Sequence, residues 1–247
     1  MLLVIDVGNT TINVGIFEKG RLTFMKKIIT RKPASKKYYP AEFKKILKNK
    51  KSYSVIISSV VPDVTRILSR FFTAHFGMKP VIVGRDVIVP LKNLYRNPKQ
   101  VGQDRLVNAY AAYKKYGGGL IIIDFGTAVT FDVVSKKGEY LGGIIVPGIE
   151  TSLRTLSQKA ALLPRIKIKN IKTLIGKDTK TSMLSGVLHG YGALCNGLVT
   201  KIRSDVGSPY KVIFTGGHAR LISKFCNPCS IQPNLTLEGL KLIHKMI

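Results

Sequence analysis

The sequence predicts an α/β protein made of a duplicated unit, with two domains and a cleft between them. The main observation is a repeated motif: the chain opens with "LLVIDVGNTT", and "LIIIDFGTAV" follows almost half the chain later. Each stretch is an apolar run that ends in Asp-x-Gly and continues into small or hydroxyl residues. Asp6 and Asp124 are thus separated by close to half of the 247 residues, as expected for two copies of one unit.

The residues after each Asp-x-Gly motif also match. After Asp6, apolar and polar residues alternate up to a turn at Lys19-Gly20 and then alternate again, and the second copy does the same around Lys137-Gly138. Both patterns are typical of a β-hairpin that starts from the Asp-bearing strand. Further strands are expected at "SVIISSVV" and "KPVIVG" in the first half and at "KVIFTGG" in the second. Three glycines at positions 117–119 form a natural joint, so the predicted domains are 1–117 and 118–247.

A carboxylate at the tip of a central strand would lie at the mouth of such a cleft. The glycine that follows lets a phosphate approach the backbone, while Asn9, Thr10 and Thr11 supply amide and hydroxyl donors. An Asp cannot bind a phosphate directly, because both are anions, but it can hold Mg²⁺ or order water that does so. A third stretch, "FTGGHA", follows a strand in the second half and suits a flat ligand such as adenosine. Together the three stretches predict nucleotide binding.

The chain is strongly basic. Forty Lys and Arg residues face thirteen Asp and Glu residues, which gives a net charge of +27, and the basic residues are spread along the whole chain. Two interpretations remain open: nucleic-acid binding, or a basic surface that attracts small anions such as ATP. The sequence contains no RRM, KH or zinc-finger pattern, so the second interpretation is favoured.

Several features favour a cytoplasmic protein that does not span a membrane. No apolar run approaches ~18 residues, the length of a membrane-spanning helix, and Asp6 interrupts the first apolar stretch with no basic region before it. The three cysteines make no even-numbered disulfide framework. Cys226 and Cys229 have the C-x-x-C spacing of redox motifs, but a metal site needs a second pair and only Cys195 remains. A structural or incidental role is therefore expected for them.

The stretch "GQDR" leads into a predicted helix, "RLVNAYAAYKKY", whose Leu106, Val107, Tyr110 and Tyr113 share one face. Asp104 has two possible roles at the start of this helix. It can cap the helix, or it can be a base that accepts the proton of an attacking hydroxyl, with Arg105 beside it to bind an anionic substrate. The residues alone leave both roles open.

The motifs "DVGNT", "DFGTA" and "TGG" resemble the two phosphate loops and the adenosine loop of the acetate kinase, sugar kinase, Hsp70 and actin superfamily. This resemblance implies duplicated RNase H-like, actin-like domains with an interdomain cleft. A narrower resemblance is to type III pantothenate kinases, and it covers essentially the whole chain. It rests on four further stretches in this order: "NPKQVGQDRLVNAYAAY", "LGGIIVPGIETSLRTL", "AALLPRI" and "IGKDT". The first predicted domain carries the first phosphate loop and the substrate motif, and the second carries the other phosphate loop and the adenosine loop.

Within this resemblance, the matching positions have expected roles. Asp104 is the expected catalytic base, and Asp124 is expected to coordinate a monovalent cation, K⁺ or NH₄⁺. The expected ATP-binding positions are Asp6, Val7, Gly8, Asn9, Thr10, Thr11, Ile12, Asn13 and Thr127. The positions expected to bind pantothenate are Tyr95, Gly102, Gln103, Asp104, Arg105 and Thr179.

The resemblance implies ATP-dependent phosphorylation of pantothenate to 4′-phosphopantothenate, the first step of coenzyme A synthesis, with Mg²⁺ or another divalent cation. It also implies a homodimer with the active site at the interface. Gly186, Gly190 and Gly197 fit such an interface, and they fit an intramolecular contact equally well. The sequence departs from the family's usual pattern at Gln103, where Ala is usual, and at Val129, where Thr is usual.

Two other functions stay open as alternatives. The first is a nucleic-acid-binding transcription accessory factor, because a charge of +27 favours binding to nucleic acid. The second is another small-molecule kinase or phosphatase on the same fold. His189 is expected to be packed or exposed rather than catalytic.

Overall fold

A computed structural model describes residues 1–31, 33–47, 54–207 and 209–247. Lys32, residues 48–53 and Ser208 therefore lie outside the described residues. Eleven strands are present in this part of the chain: β1 Leu2–Val7, β2 Thr11–Glu18, β3 Arg21–Ile29, β4 Ser54–Ser59, β5 Val81–Ile82, β6 Lys92–Asn93, β7 Leu120–Phe125, β8 Ala128–Val134, β9 Glu139–Pro147, β10 Lys211–Gly216 and β11 Ser230–Ile231. The α-helices are α1 Tyr38–Leu47, α2 Pro62–Phe76, α3 Gln103–Tyr116, α4 Ile149–Lys159, α5 Thr179–Asp205, α6 Ala219–Ile222 and α7 Leu235–His244, with short 3-10 helices at Pro98–Gln100 and Ser223–Phe225.

The described chain divides into two compact units. Unit 1 comprises Met1–Leu91, Arg96–Lys114 and Leu235–Ile247, and unit 2 comprises Lys92–Tyr95 and Lys115–Asn234. The main division thus falls three residues before the boundary predicted after position 117. The C-terminal segment, which we expected in the second domain, instead belongs to unit 1, because α7 packs against β1, β2 and β4.

The sheet of unit 1 has the strand order β3-β2-β1-β4-β5. The central strand β1 runs antiparallel to β2 and parallel to β4. Its apolar residues after Leu2 are fully buried, as expected for a strand with neighbours on both sides. Leu3, Ile5 and Val7 form one hydrophobic core with residues of α1 and α2, among them Phe43 and Phe72, whose rings meet edge to face.

The sheet of unit 2 repeats this arrangement around β7. Its strand order is β11-β10-β7-β8-β9-β6, with β7 antiparallel to β8 and parallel to β10. The five strands β9-β8-β7-β10-β11 thus correspond in order and direction to the five strands of unit 1. The predicted duplication of an α/β unit is confirmed at the level of topology.

The predicted hairpin turns are present in both sheets. The loops between β2 and β3 and between β8 and β9 turn at Gly20 and Gly138, and both glycines have φ of 80°. This left-handed conformation is open to glycine at little cost. The two turns join β2 to β3 and β8 to β9, and β2 and β8 in turn pair with the Asp-x-Gly strands β1 and β7.

Candidate active site

In unit 1, the first Asp-x-Gly motif ends the central strand. Asp6 is the penultimate residue of β1 and is only 8% exposed. Its carboxylate accepts a hydrogen bond from Asn13 Nδ2 at 3.2 Å, and in the sheet it lies opposite Asn13 on one side and Ser58 on the other. The carboxylate is therefore fixed at the edge of the sheet from which the loop 8–11 projects.

The loop after Asp6 is a tight turn that exposes its polar residues. The backbone N–H of Gly8 donates to the carbonyl of Thr11 at 3.0 Å, while Asn9 and Thr10 are exposed. Val7 and Ile12 are fully buried in the hydrophobic core. Of the residues predicted to bind ATP, these two can offer only backbone groups.

Thr30, which was not predicted from the sequence, stabilises this loop through two hydrogen bonds. The hydroxyl of Thr30 donates to the carbonyl of Gly8 at 2.8 Å, and its backbone N–H donates to the carbonyl of Thr10 at 2.9 Å. Thr30 follows β3 directly and is 8% exposed. No local pattern signals this role, because the contact joins positions about twenty residues apart through the hairpin.

Asp104 lies in the first turn of α3, one residue inside the helix. Its carboxylate accepts a hydrogen bond from the backbone N–H of the next residue, Arg105, at 2.9 Å. The carbonyl of Gly102 accepts the first helical hydrogen bonds, so Gly102 takes the cap position and Asp104 does not. The Asp104 carboxylate nevertheless satisfies a backbone N–H of the first turn, so this geometry is compatible with both the helix-cap role and the role of a base.

The surroundings of Asp104 suit a base. Burial raises the pKa of this carboxyl above its ordinary value, and the backbone N–H and the charge of Arg105 oppose the shift only in part. A carboxylate with a raised pKa holds a proton more strongly and is a better acceptor for the proton of a hydroxyl. The Arg105 side chain is itself buried, at 9% exposure.

Two glycines make room for the side chains of the "GQDR" motif. A methyl group at Gly102 would lie 2.5 Å from Asp104 Oδ1, so this position must be glycine if the carboxylate is to stay where it is. A methyl group at Gly84 would lie 2.6 Å from Cδ of Gln103. Gln103 thus packs over the backbone of Gly84, which has φ of 84°.

In unit 2, Asp124 occupies the position in β7 that Asp6 occupies in β1. It lies opposite Thr130 of β8 and Thr215 of β10. Gly216, with φ of 89°, leaves the space that Asp124 Oδ1 occupies, since a methyl group there would overlap that oxygen and lie 2.6 Å from the backbone nitrogen of Phe125. The backbone thus forms a cradle around one carboxylate oxygen at the end of the strand.

Asp124 offers one carboxylate to a cation, and such a site can serve a monovalent ion or a Mg²⁺ whose other ligands are water and substrate phosphates. Oxygen ligands suit K⁺ and Mg²⁺ alike, but a protein cage for a divalent ion uses several carboxylates. Within the described residues, no group of three or more His, Cys, Asp or Glu side chains is arranged to hold a metal ion. Asp124 fits one carboxylate ligand of a cation whose remaining ligands are neutral oxygens or substrate phosphates.

The loop after Asp124 is held by the start of α4. The carbonyl of Thr127 accepts hydrogen bonds from the backbone N–H of Gly148 at 3.1 Å and from the hydroxyl of Thr151 at 2.9 Å. A methyl group at Gly148 would overlap the Thr127 carbonyl. Val129 points into the core and is fully buried, so its lack of a hydroxyl removes no polar group from the exposed loop.

Tyr95 and Thr179 both belong to unit 2. Tyr95 lies two residues after β6, and a methyl group built on Gly142 would lie 3.6 Å from its ring, an ordinary van der Waals contact. Thr179 is the first residue of α5 and is exposed. The preceding Asp178 caps α5 through the backbone N–H of Thr181 at 2.9 Å, so the helix start that presents Thr179 is well defined.

Comparison with known proteins identifies the family. The family model described as type III pantothenate kinase matches residues 2–201. This chain belongs to the type III pantothenate kinase family. The type III pantothenate kinase of Geobacter sulfurreducens is 41% identical over 99% of this chain and 98% of its own length. That of Syntrophus aciditrophicus is also 41% identical, over 99% of each chain.

The fold is shared with more distant kinases. The inorganic polyphosphate/ATP-glucomannokinase from Arthrobacter sp. strain KM superposes with a TM-score of 0.51 at 14% identity, over 100% of this chain and 99% of that chain. The predicted type III pantothenate kinase family, its kinase activity and its duplicated actin-like fold are thus confirmed.

In this pantothenate kinase, the glycines of α5 have two different environments. Apart from the adjacent residues and the backbone of α5 itself, no described atom lies within 4 Å of a methyl group built on Gly186, Gly190 or Gly197. The intramolecular contact considered for them is therefore not found within the described residues. The close intramolecular contact is at Gly192, where a methyl group would lie 2.8 Å from Cβ of Phe225. His189 packs edge to face on Phe225, as expected for a packed residue.

Proposed function

We propose that this chain transfers the γ-phosphoryl group of ATP to the 4′-hydroxyl of pantothenate, which forms 4′-phosphopantothenate and ADP in the first step of coenzyme A synthesis. The observation that carries the proposal is Asp104. It is a carboxylate with a raised pKa inside the first turn of α3, in the "GQDR" motif of a chain that belongs to the type III pantothenate kinases.

Asp104 acts as the base in this proposal. Its carboxylate accepts the proton of the pantothenate hydroxyl as the oxygen attacks the γ-phosphorus in line. The N–H of Arg105 orients one carboxylate oxygen and leaves the other to accept the proton. Gly102 keeps the carboxylate in place, and Arg105 supplies positive charge beside it for the anionic substrate.

ATP is proposed to bind through the two Asp-x-Gly loops. In unit 1, the backbone of residues 6–13 and the exposed side chains of Asn9 and Thr10 provide hydrogen-bond donors for phosphate. In unit 2, the exposed Thr127 does the same from a loop that α4 holds in place. The glycine-rich end of β10, at Gly216, is proposed to approach the adenosine.

Cations are proposed to bind at the carboxylate ends of the loops. Asp124 would hold K⁺ or NH₄⁺, and Asp6 would position, directly or through water, a divalent cation such as Mg²⁺ bound to the ATP phosphates. When bound, these cations neutralise phosphate charge during the transfer.

Tyr95 and Thr179 are proposed to contact pantothenate, Tyr95 with its half-buried ring and Thr179 with its exposed hydroxyl. Gln103 completes the substrate motif in place of the usual Ala. Its longer side chain fills the space above Gly84.

The active form is proposed to be a homodimer that uses α5. The open backbone at Gly186 and Gly190 lines a cavity of about 520 Å³ whose other walls include Val146, Leu156 and Met183. Small residues let a second helix approach closely, and burial of this apolar lining would stabilise the association. Sedimentation should give the mass of a dimer, and Gly190→Glu should give that of a monomer.

The basic surface is proposed to serve the two anionic substrates in the cytoplasm. A charge of +27 raises the local concentration of ATP and pantothenate. No helix within the described residues combines the length and apolar character that crossing a membrane requires. Nucleic-acid binding is the second candidate that the charge favours, and tight binding of random DNA at physiological salt would support it.

A direct test follows ADP formation in buffer that contains K⁺ and Mg²⁺. ADP should form when pantothenate is present and only at background level without it. Glucose, mannose and inorganic polyphosphate serve as competing substrates. Turnover of any of these with none of pantothenate would favour another kinase on the same fold.

A further inference from the structure

All three cysteines of the chain meet in one place in unit 2, and none has a role in the proposed reaction. Cys195 lies on α5 and is 1% exposed. Cys226 and Cys229 lie in the loop 226–229, between the 3-10 helix Ser223–Phe225 and β11, and both are partly exposed. The three thiols are free and adjoin the same hydrophobic cluster.

The loop 226–229 is fastened to the turn of α5 that carries Cys195. The backbone N–H of Asn227 donates to Asn196 Oδ1 at 2.9 Å. Phe225, directly before the loop, approaches α5 so closely at Gly192 that a methyl group there would lie 2.8 Å from Phe225 Cβ. These contacts hold the loop backbone against the helix on both sides of Cys226.

The same contacts bring the Cys226 and Cys195 thiols together. Cys226 Sγ lies 3.9 Å from the carbonyl oxygen of Gly192, a long and weak contact for its thiol form. Cys195 lies on the same helix, three residues after Gly192, and the interaction of its thiol with that of Cys226 shifts the pKa of both groups. A buried thiol thus stands directly beside a partly exposed one.

The three thiols differ in acidity. The interaction with the Cys195 thiol lowers the pKa of Cys226, and the same interaction, together with burial, raises the pKa of Cys195. Burial raises the pKa of Cys229 to about 11, with a further contribution from the neighbouring Cys226. Cys226 is therefore the thiol of the three that most readily forms the nucleophilic thiolate.

We propose that Cys226 and Cys195 form a thiol–disulfide exchange site, in which Cys226 attacks a small-molecule disulfide and Cys195 resolves the product. An accessible nucleophilic thiol beside a resolving thiol is the arrangement that redox-active cysteines use. Cys229 is not a partner in the exchange, although it shares the C-x-x-C spacing with Cys226.

The exchange proceeds in two balanced steps. The Cys226 thiolate attacks one sulfur of the small disulfide, which forms a mixed disulfide and releases one thiolate. After this step the Cys226 sulfur carries no negative charge, so the neighbouring Cys195 can lose its proton. Its thiolate then attacks Cys226 Sγ and releases the second thiolate. The protein loses two electrons and two protons, and the small disulfide is reduced to two thiols.

The test uses dithiobisnitrobenzoate, an aromatic disulfide that releases a coloured thiolate, on the reduced full-length protein without denaturant. In the wild type, Cys226 and Cys195 together should release two equivalents per chain, retain no nitrobenzoate adduct on either residue, and yield a Cys195–Cys226 cross-linked peptide on digestion. Cys195→Ser should stop at the mixed disulfide, with one equivalent released and the adduct retained on Cys226. Cys229→Ser is the matched control and should behave as the wild type.

Three results would overturn the proposal: a Cys226–Cys229 cross-link in the wild type, an adduct retained on Cys226 in the wild type, or loss of the Cys226 adduct with release of a second equivalent from it in Cys195→Ser. Because Cys195 is buried in the core, Cys195→Ala is made in parallel, and the near-UV spectrum of each variant checks its fold. The wild-type peptide map decides the pairing without any variant. These readouts do not depend on pantothenate phosphorylation, so the exchange and the kinase function are tested separately.

Discussion

Replacing Asp104 with Asn separates its role as a base from any structural role. Asn keeps the shape and an oxygen that can accept the hydrogen bond from the Arg105 N–H, which is 2.9 Å long in the wild type. It cannot take up the proton of the pantothenate hydroxyl. The kcat should therefore fall by roughly 10²–10⁴-fold, which corresponds to about 3 to 5 kcal/mol of lost transition-state stabilisation.

The chain offers a matched control at the same position of another helix. Asp63 is the second residue of α2, as Asp104 is of α3, and its carboxylate accepts a hydrogen bond from Arg66 at 3.1 Å. Asp63→Asn thus makes the same chemical change in a helix that has no proposed role in the reaction. Its kcat should stay within about threefold of the wild type, far below the range for loss of a base.

Stability should move in the opposite direction from activity. Burial raises the pKa of Asp104 above its value in the unfolded chain, so the ionised carboxylate costs stability above the folded pKa. That cost disappears below the unfolded pKa, where the group is protonated in both states. Asp104→Asn should therefore melt at or above the wild-type temperature at neutral pH.

The pH profile gives a third readout. The base must be ionised, so wild-type kcat/KM should fall as the pH is lowered through the raised pKa of Asp104, and the residual activity of Asp104→Asn should lack this step. Steady-state kinetics and a thermal melt of the same samples provide all three measurements. A variant that retains wild-type kcat, or loses activity only by unfolding, would refute the assignment of Asp104 as the base.

Three further predictions concern unit 2. Activity should require K⁺ or NH₄⁺, and Asp124→Asn should lower both the activity and this dependence; equal rates in Na⁺ and K⁺ would contradict the cation site. Gly148→Ala should raise the KM for ATP, because the methyl group would displace the Thr127 carbonyl, and an unchanged KM would mean that this loop does not hold ATP. Tyr140→Phe removes the 2.7 Å hydrogen bond to the buried Asp132 and should cost about 1–3 kcal/mol in urea denaturation, whereas unchanged stability would show that the bond contributes nothing.

The central strands could be predicted from the sequence because their signals are local. An apolar run that ends in Asp-x-Gly identified β1 and β7, and Lys-Gly pairs identified the hairpin turns. The family motifs also identified the start of α3 and its Asp104. These features depend on residues within about ten positions of each other along the chain.

Features that depend on distant contacts were not predicted. The helix α7 carries no local sign that it packs against β1, so its place in unit 1 follows only from the folded chain. Thr30 braces the Gly8 turn across the hairpin, and Gly148 makes room for the carbonyl of Thr127. The meeting of Cys195 with Cys226 likewise depends on how the loop after β10 packs against α5.

The central claim is that this chain phosphorylates pantothenate. The most direct measurement follows a label in the γ-phosphate of ATP through one complete reaction with pantothenate. We predict that the label moves to 4′-phosphopantothenate in an amount equal to the ADP formed. Label that appears only as inorganic phosphate, or ADP formation that is independent of pantothenate, would contradict the claim.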